Sequence, residues 1–238
     1  MKNAYPLSHA QRRIWYTQKK YPDSAMFHIG GTVEIDGRVD VRLLRQALCR
    51  VVSENDALRL RFAVRDGEPV QYLYEGEPEV ELLDLSSEAE PEKAYETLCS
   101  TVKEEAFSTE GGKLYRLIVC RLRENKTAYF VKLHHLVADG WSMKLLTEQV
   151  TAAYEAQISG TVSDCPAKPS YLEYVAEEQT YLADASANGG SKKAEAYFRA
   201  RLEKAAQADR DSFIVPHGTA ALIWGYRKDR WRWLFFYL

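Results

Sequence analysis

The apolar positions change period several times along this chain, and each change predicts an element. Ser8 is a residue type that caps helix N-termini, and the stretch Ala10–Tyr16 after it predicts an opening helix that ends before Pro22. Met26–Ile35 reads as a strand. Beyond the Asp36-Gly37 turn, Val39, Leu43, Leu44, Ala47, Leu48, Val51 and Val52 recur at i, i+3 and i+4 spacing, which predicts an amphipathic helix packed on that strand. Leu58–Val64 and Val70–Tyr74 flank Asp66-Gly67 and predict a hairpin, with a third strand over Val80–Leu85. Ala94, Leu98, Val102 and Ala106 set a helix within Glu88–Phe107, and Leu114–Arg121 with Thr127–Leu133 form a second strand pair. Two further helices are expected over Ser142–Ile158 and Tyr171–Ala206, the second breaking near Asn188-Gly189-Gly190. Strands and helices intermixed in this way predict an α/β sandwich with a mixed sheet.

The end of the chain does not continue this pattern. Three of the five tryptophans (Trp224, Trp231, Trp233) lie there, and the last eight residues are Trp231-Arg232-Trp233-Leu234-Phe235-Phe236-Tyr237-Leu238.

Composition narrows the function classes. The 238 residues are 46% hydrophobic and 28% charged, the balance of a globular protein with a sizeable core. The 32 basic and 34 acidic residues are scattered and sum to a net charge of −2, so nothing resembles a nucleic-acid or anionic-membrane footprint. Cys49, Cys99, Cys120 and Cys165 are far apart, with neither a C-x-x-C pair nor metal-ligand spacing, and are expected as reduced thiols of a cytoplasmic protein. Neither a secretory leader nor a membrane-spanning run of about 18 apolar residues is visible.

Chemistry concentrates in Leu133-His134-His135-Leu136-Val137-Ala138-Asp139-Gly140-Trp141-Ser142. A histidine at a strand end, four residues before an Asp-Gly turn, can present one nitrogen to a cleft while local backbone holds the other. Such a base contributes about 10²–10⁴ in rate to acyl transfer. A His-His pair alone is equally compatible with packing. Asp139 sits too close along a tight turn to serve readily as a triad carboxylate and is expected in a structural ion pair, while Gly140 suggests a backbone conformation that other residues resist. His9, His28 and His217 stand alone, as surface or core histidines do, and Ser8 and Gln11 are expected to cap and pack. Trp141 and Tyr171 are expected in the core.

The pattern H-H-x-x-x-D-G, followed here by Trp141-Ser142, resembles the signature of condensation domains of nonribosomal peptide synthetases, which share the chloramphenicol acetyltransferase-like fold. Three more segments resemble family motifs in order. Leu7–Trp15 resembles the opening S-x-A-Q-x-R motif. Asn55-Asp56-Ala57-Leu58-Arg59-Leu60-Arg61-Phe62 is similar to R-H-E-x-L-R-T-x-F, keeping Leu58, Arg59 and Phe62, with Glu54 where the family has its first arginine. Tyr171-Leu172-Glu173-Tyr174-Val175 resembles Y-x-D-Y/F-A, and Tyr197–Leu202 the helix after it.

The resemblance implies a catalytic group of His135, His134, Asp139 and Gly140, in which His135 faces the reaction channel, His134 is structural and Asp139 forms an ion pair that shapes the turn. Arg59, Trp141, Ser142 and Tyr171 would support it, Arg59 as the remaining partner for Asp139. It also implies a reaction joining an acyl or peptidyl thioester, on the phosphopantetheine arm of a donor carrier protein, to the amine of an aminoacyl group on an acceptor carrier, with no cofactor of the domain's own. The rivals are a free-standing acyl-coenzyme A-dependent acyltransferase and a fragment that binds carriers without turnover.

Members of the family have two lobes and chains about twice as long. Residues 1–170 are expected as the N-terminal lobe, 171–207 as connecting helices and the start of the second lobe, and 208–238 as an atypical aromatic tail. Three accounts of the tail compete: a shifted frame or truncated gene, which is favoured, an aromatic strand packed on the lobe, or a segment that engages another chain. A complementary second lobe or self-association would then cover the apolar surface.

Overall fold

The computed structural model describes residues 3–161, 168–187, 195–200, 224–228 and 231–237, with backbone alone for 184–187 and the last two segments. Two compact units divide the chain, one holding Met1–Ser170 with Ala221–Leu238 and the other Tyr171–Ala220.

The first unit begins with strand β1 (Tyr5–Pro6) and helix α1 (His9–Lys20). Ser8 caps α1 through a reciprocal box, its hydroxyl accepting the Gln11 amide and the Gln11 side chain accepting the Ser8 amide. Strand β2 (His28–Asp36) leads to α2 (Val41–Glu54), whose first turn is held by the Asp40 carboxylate on the amides of Arg42 and Leu43. The buried face of α2 carries Leu44, Ala47, Leu48, Val51 and Val52, as its periodicity predicts, with Val41 in place of the expected Val39 and Leu43, which are only half-buried.

A short helix, α3 (Asp56–Arg59), precedes β3 (Leu60–Arg65), so Leu58 and Arg59 are not strand residues as expected. The buried Leu58 anchors this turn, its amide donating to the Asn55 carbonyl at 3.1 Å. Strand β3 pairs with β4 (Glu68–Leu73) across Asp66 and Gly67, both at positive φ (52° and 82°), the conformation a tight two-residue hairpin turn requires.

The third predicted strand, β5 (Glu81–Asp84), does not extend that hairpin. It pairs parallel with β6 (Tyr115–Arg123) in the other sheet, Glu81 opposite Ile118. A parallel neighbour demands a crossover, and helix α4 (Pro91–Glu104) provides it. Strand β7 (Lys126–His134) folds back on β6, and α5 (Gly140–Ser159) follows, closed by Gly160 at φ 65°. The sheets are therefore a three-stranded β1-β4-β3 and a six-stranded mixed β5-β6-β7-β2-β9-β8. One face of the larger sheet buries Ile118, Cys120, Leu122, Ala128 and Phe130 with Tyr95 and Val102 of α4.

Strands β8 (Trp224–Lys228) and β9 (Trp231–Tyr237) come from the aromatic tail. Strand β9 runs antiparallel beside β2, from Ile29 opposite Tyr237 to Ile35 opposite Trp231, and β8 pairs outside it. In the second unit, α6 spans Tyr171–Ala187 and residues 195–200 are helical. The expected break at Asn188-Gly189-Gly190, together with Cys165, His217, residues 201–202 and 208–223, lies outside the described residues.

Candidate functional site

The β2–β7 ladder sets His28 opposite His134 and extends one step further, where the His135 amide donates to the Phe27 carbonyl at 2.9 Å. The chain then turns sharply. The Val137 amide donates to the His134 carbonyl at 3.0 Å, and the Leu136 amide to His134 Nδ1 at 3.1 Å. Because Nδ1 accepts, the ring proton of neutral His134 is on Nε2, which lies 3.2 Å from Gln18 Oε1. Gln18 is itself fixed, its amide group donating to the carbonyls of Tyr21, Pro22 and Ser24 at 2.7–3.2 Å. Gln11 Nε2 donates to the Leu136 carbonyl at 3.0 Å. Helix α1 thus holds the motif turn from below through two glutamines.

His134 is fully buried, against the rings of Phe27, Phe107 and His28. Burial, then the nearby His28, His135 and Lys132, lowers its pKa to about 3. His28 is buried too and lowered to about 4, chiefly by burial and then by Lys132. Both rings are therefore neutral at physiological pH, and His134 cannot act as an exposed base.

His135 differs in being only half-buried. Burial lowers its pKa below the usual value, opposed by a hydrogen bond to the Ala138 carbonyl and by the Asp139 charge. A ring that donates to a carbonyl keeps the lone pair on its other nitrogen, the tautomer a proton acceptor needs.

Asp139 is the N-cap of α5. Its Oδ1 accepts the Ser142 amide at 2.8 Å and the Ser142 hydroxyl at 2.7 Å, while that hydroxyl accepts the Asp139 amide. Desolvation works to raise the carboxyl pKa, but the Ser142 hydroxyl and amide and the His135 charge outweigh it and hold it below the usual value. This capping box replaces the expected ion pair: no salt bridge joins Asp139 to Arg59. Arg59 Nε is instead buried without a hydrogen-bond partner. The physical reason is local, since a helix start offers two donors to the carboxylate at once and needs no distant cation.

Three further expectations change. Gly140 opens α5 and is not among the glycines at positive φ, so its backbone is ordinary helix. Trp141 is 65% exposed rather than in the core, with Lys144 Nζ 5.1 Å from its ring centroid. Tyr171 is half-buried rather than in the core, its ring tilted at 41° to that of Tyr174 with centroids 5.6 Å apart, within its own unit. The residue that sequence reasoning passed over is Gln18, whose role depends on a partner more than 100 positions away, while His28, expected as a surface or core histidine, is a core one placed beside the motif by the β2–β7 ladder. Gln11 was expected to pack; its hydrogen bond to the motif carbonyl is the added finding.

Among the described residues no group of three or more His, Cys, Asp or Glu side chains could hold a metal ion, and no helix is long and apolar enough to cross a membrane. Cys49, Cys99 and Cys120 are free thiols, and burial raises the last two to about 11 and about 12.

This geometry can be set beside known proteins. The family model "Condensation domain" matches residues 1–209. The chain belongs to the condensation domain family. Surfactin synthase subunit 1 of Bacillus subtilis is 32% identical over 184 residues, which is 74% of this chain and 5% of that protein. Phosphinothricin tripeptide synthetase PhsC of Streptomyces viridochromogenes is 28% identical over 226 residues, 94% of this chain and 20% of that one. Among solved structures, the starter condensation domain of rhizomide synthetase RzmA superposes with a TM-score of 0.71 at 26% identity, covering 76% of this chain and 44% of that chain. The mixed sheet flanked by helices is thus the chloramphenicol acetyltransferase-like architecture. This condensation domain spans about half the length of the solved relatives and a small fraction of the curated synthetases.

Proposed function

We propose that this condensation domain serves amide bond formation between two carrier-bound substrates in nonribosomal peptide synthesis, with His135 as the residue facing the reacting groups. The amine nitrogen attacks the thioester carbonyl, a C–N bond forms, the C–S bond breaks, and the phosphopantetheine thiol of the donor carrier leaves. The proton lost by the amine passes through His135 Nε2 or Nδ1, whichever holds the lone pair, toward the departing sulfur. The observation that carries this reading is the contrast between adjacent histidines: His134 is locked and fully buried, whereas His135 is partly exposed with one nitrogen committed to Ala138.

The demand on His135 is modest. An α-amine with a pKa of about 8 is roughly a tenth neutral at pH 7, so its deprotonation costs little more than about 1 kcal/mol. Positioning the amine and stabilising the tetrahedral oxyanion supply the rest of the acceleration.

In this reading residues 1–170 act as the N-terminal lobe and 171–207 as connecting helices, in a cytoplasmic synthetase whose partners are donor and acceptor carriers. The pairing of β9 with β2 supports assigning the tail's described strands, 224–228 and 231–237, to the lobe's own sheet. The reading is tested by supplying acyl-loaded donor carrier, aminoacyl-loaded acceptor carrier and a second lobe from a related synthetase. Product is expected, with a strong loss for His135→Ala. Carrier binding without product, indifferent to His135→Ala, selects a non-catalytic docking role instead.

A further inference from the structure

At position 54 the family resemblance places an arginine, and this chain has a glutamate. A carboxylate there requires a cation from elsewhere. Glu54 ends α2, with Oε1 2.6 Å from Arg50 Nε and Oε2 3.1 Å from Lys168 Nζ. Lys168 also donates to Gln149 Oε1 of α5 at 2.7 Å, and the same oxygen accepts from Asn55 Nδ2 at 2.8 Å. Asn55 Nδ2 returns to the Val51 carbonyl at 2.6 Å, and the Ser170 hydroxyl donates to the Asp56 carboxylate. One network therefore ties α2, the α2–α3 junction, α5 and the segment 168–170 together, from partners 114 residues apart in sequence.

Beside this network lies a pocket of about 130 Å³ between α3 and α5, and it reaches the motif through Leu133, Val137 and Ser142. Asn55 and Gln149 belong both to its lining and to the network. Apolar contact fixes most of α5, which buries Met143, Val150, Ala153 and Tyr154, and beside the pocket, where packing is thinner, the polar ties add to it. Those ties are sheltered: the Lys168 side chain is 19% exposed, the least of the ion-paired side chains among the described residues, and Glu54 is 30% exposed. A pair this shielded is screened less by salt than the open Arg38–Glu124 pair on the surface.

We propose that Glu54 and Lys168 are positioning residues: together they clasp the segment at the border of the first unit onto α5, and hold in place the helix whose capping box sets the motif turn. The clasp acts through Gln149, about two turns along α5 from Ser142, and not by touching substrate. Protonating Glu54, or removing either partner, frees the segment and loosens the first turn of α5.

The test is hydrogen–deuterium exchange of the full chain, read at 168–170 through the Lys168 and Ser170 amides, Pro169 having none, and at 140–143, in Glu54→Gln, Lys168→Met and the double variant. Each single substitution is expected to speed exchange at both places about five-fold, the scale of a partly buried pair. The double variant should be no faster than either single one, and Lys168→Arg should retain protection. Additive effects, or faster exchange at 168–170 with 140–143 unchanged, would overturn the proposal. Exchange in β6 and β7 serves as the reference for global unfolding: if it rises in the single variants, the arginine variant decides, and its failure to restore protection refutes the clasp. None of these readouts depends on condensation activity, so the outcome is separate from that of the proposed reaction.

Discussion

Two buried neutral histidines should make this domain acid-sensitive well above the range in which carboxylates titrate. His134 and His28 are 0% and 1% exposed, with pKa values lowered from 6.5 to about 3 and about 4. A depressed folded pKa means that the unfolded chain binds the proton first, so stability is complete above pH 6.5 and declines as pH falls toward the folded value. At pH 5 an unfolded imidazole of pKa 6.5 is about 97% protonated, and the difference from pH 8 is RT ln(1 + 10^1.5), about 2 kcal/mol per histidine. The pair should therefore cost about 4 kcal/mol over that span, a large share of the roughly 5–15 kcal/mol that stabilises a domain. Paired carboxylates contribute little above pH 5, because Glu92, held down to about 2 by Arg123, is ionised in both states there. Urea denaturation followed by far-UV circular dichroism at pH 8 and pH 5 measures the difference. His28→Leu removes one titrating ring and an Nδ1 without a hydrogen-bond partner, and should halve the loss. Equal midpoints at the two pH values, or an undiminished acid loss in His28→Leu, would refute the reasoning.

The other predictions address the motif turn. Gln18→Leu removes the acceptor of His134 and a donor to three carbonyls, and should cost about 1–3 kcal/mol in urea denaturation. Asp139→Ala should cost about 0.5–2 kcal/mol by uncapping α5, whereas Arg59→Met, which breaks no ion pair with Asp139, should leave that cap intact in amide exchange at Ser142. Gly140→Ala should change stability by less than about 1 kcal/mol in either direction, since its φ is not positive and the helical backbone imposes no strain on an L residue. Trp141→Ala should fall within about 0.5 kcal/mol of the parent by the same assay, as expected for a largely exposed ring.

Much of the local structure was legible in the residues. Ser8 announced a helix start, the Asp66-Gly67 pair announced a hairpin, and the spacing of Leu44, Ala47, Leu48 and Val51 announced a buried helix face. The His134-His135 motif and its relation to condensation domains were also visible, because those signals span only a few residues and act through backbone preference and periodicity.

What the sequence could not decide was every question of which distant residue meets which. That β5 leaves the hairpin sheet for β6, that β9 lies beside β2, that Gln18 rather than a solvent contact holds His134, and that Glu54 finds Lys168 all depend on pairings across the fold. Asp139 illustrates the difference most directly. A carboxylate near an arginine-bearing segment suggests an ion pair, yet the geometry of the α5 terminus placed two closer donors on it and left Arg59 Nε without a partner. Short-range sterics and turn chemistry are written residue by residue, whereas desolvation and pairing are properties of the packed chain, so the sequence determined the elements and the motif, and tertiary structure alone decided which histidine stays open.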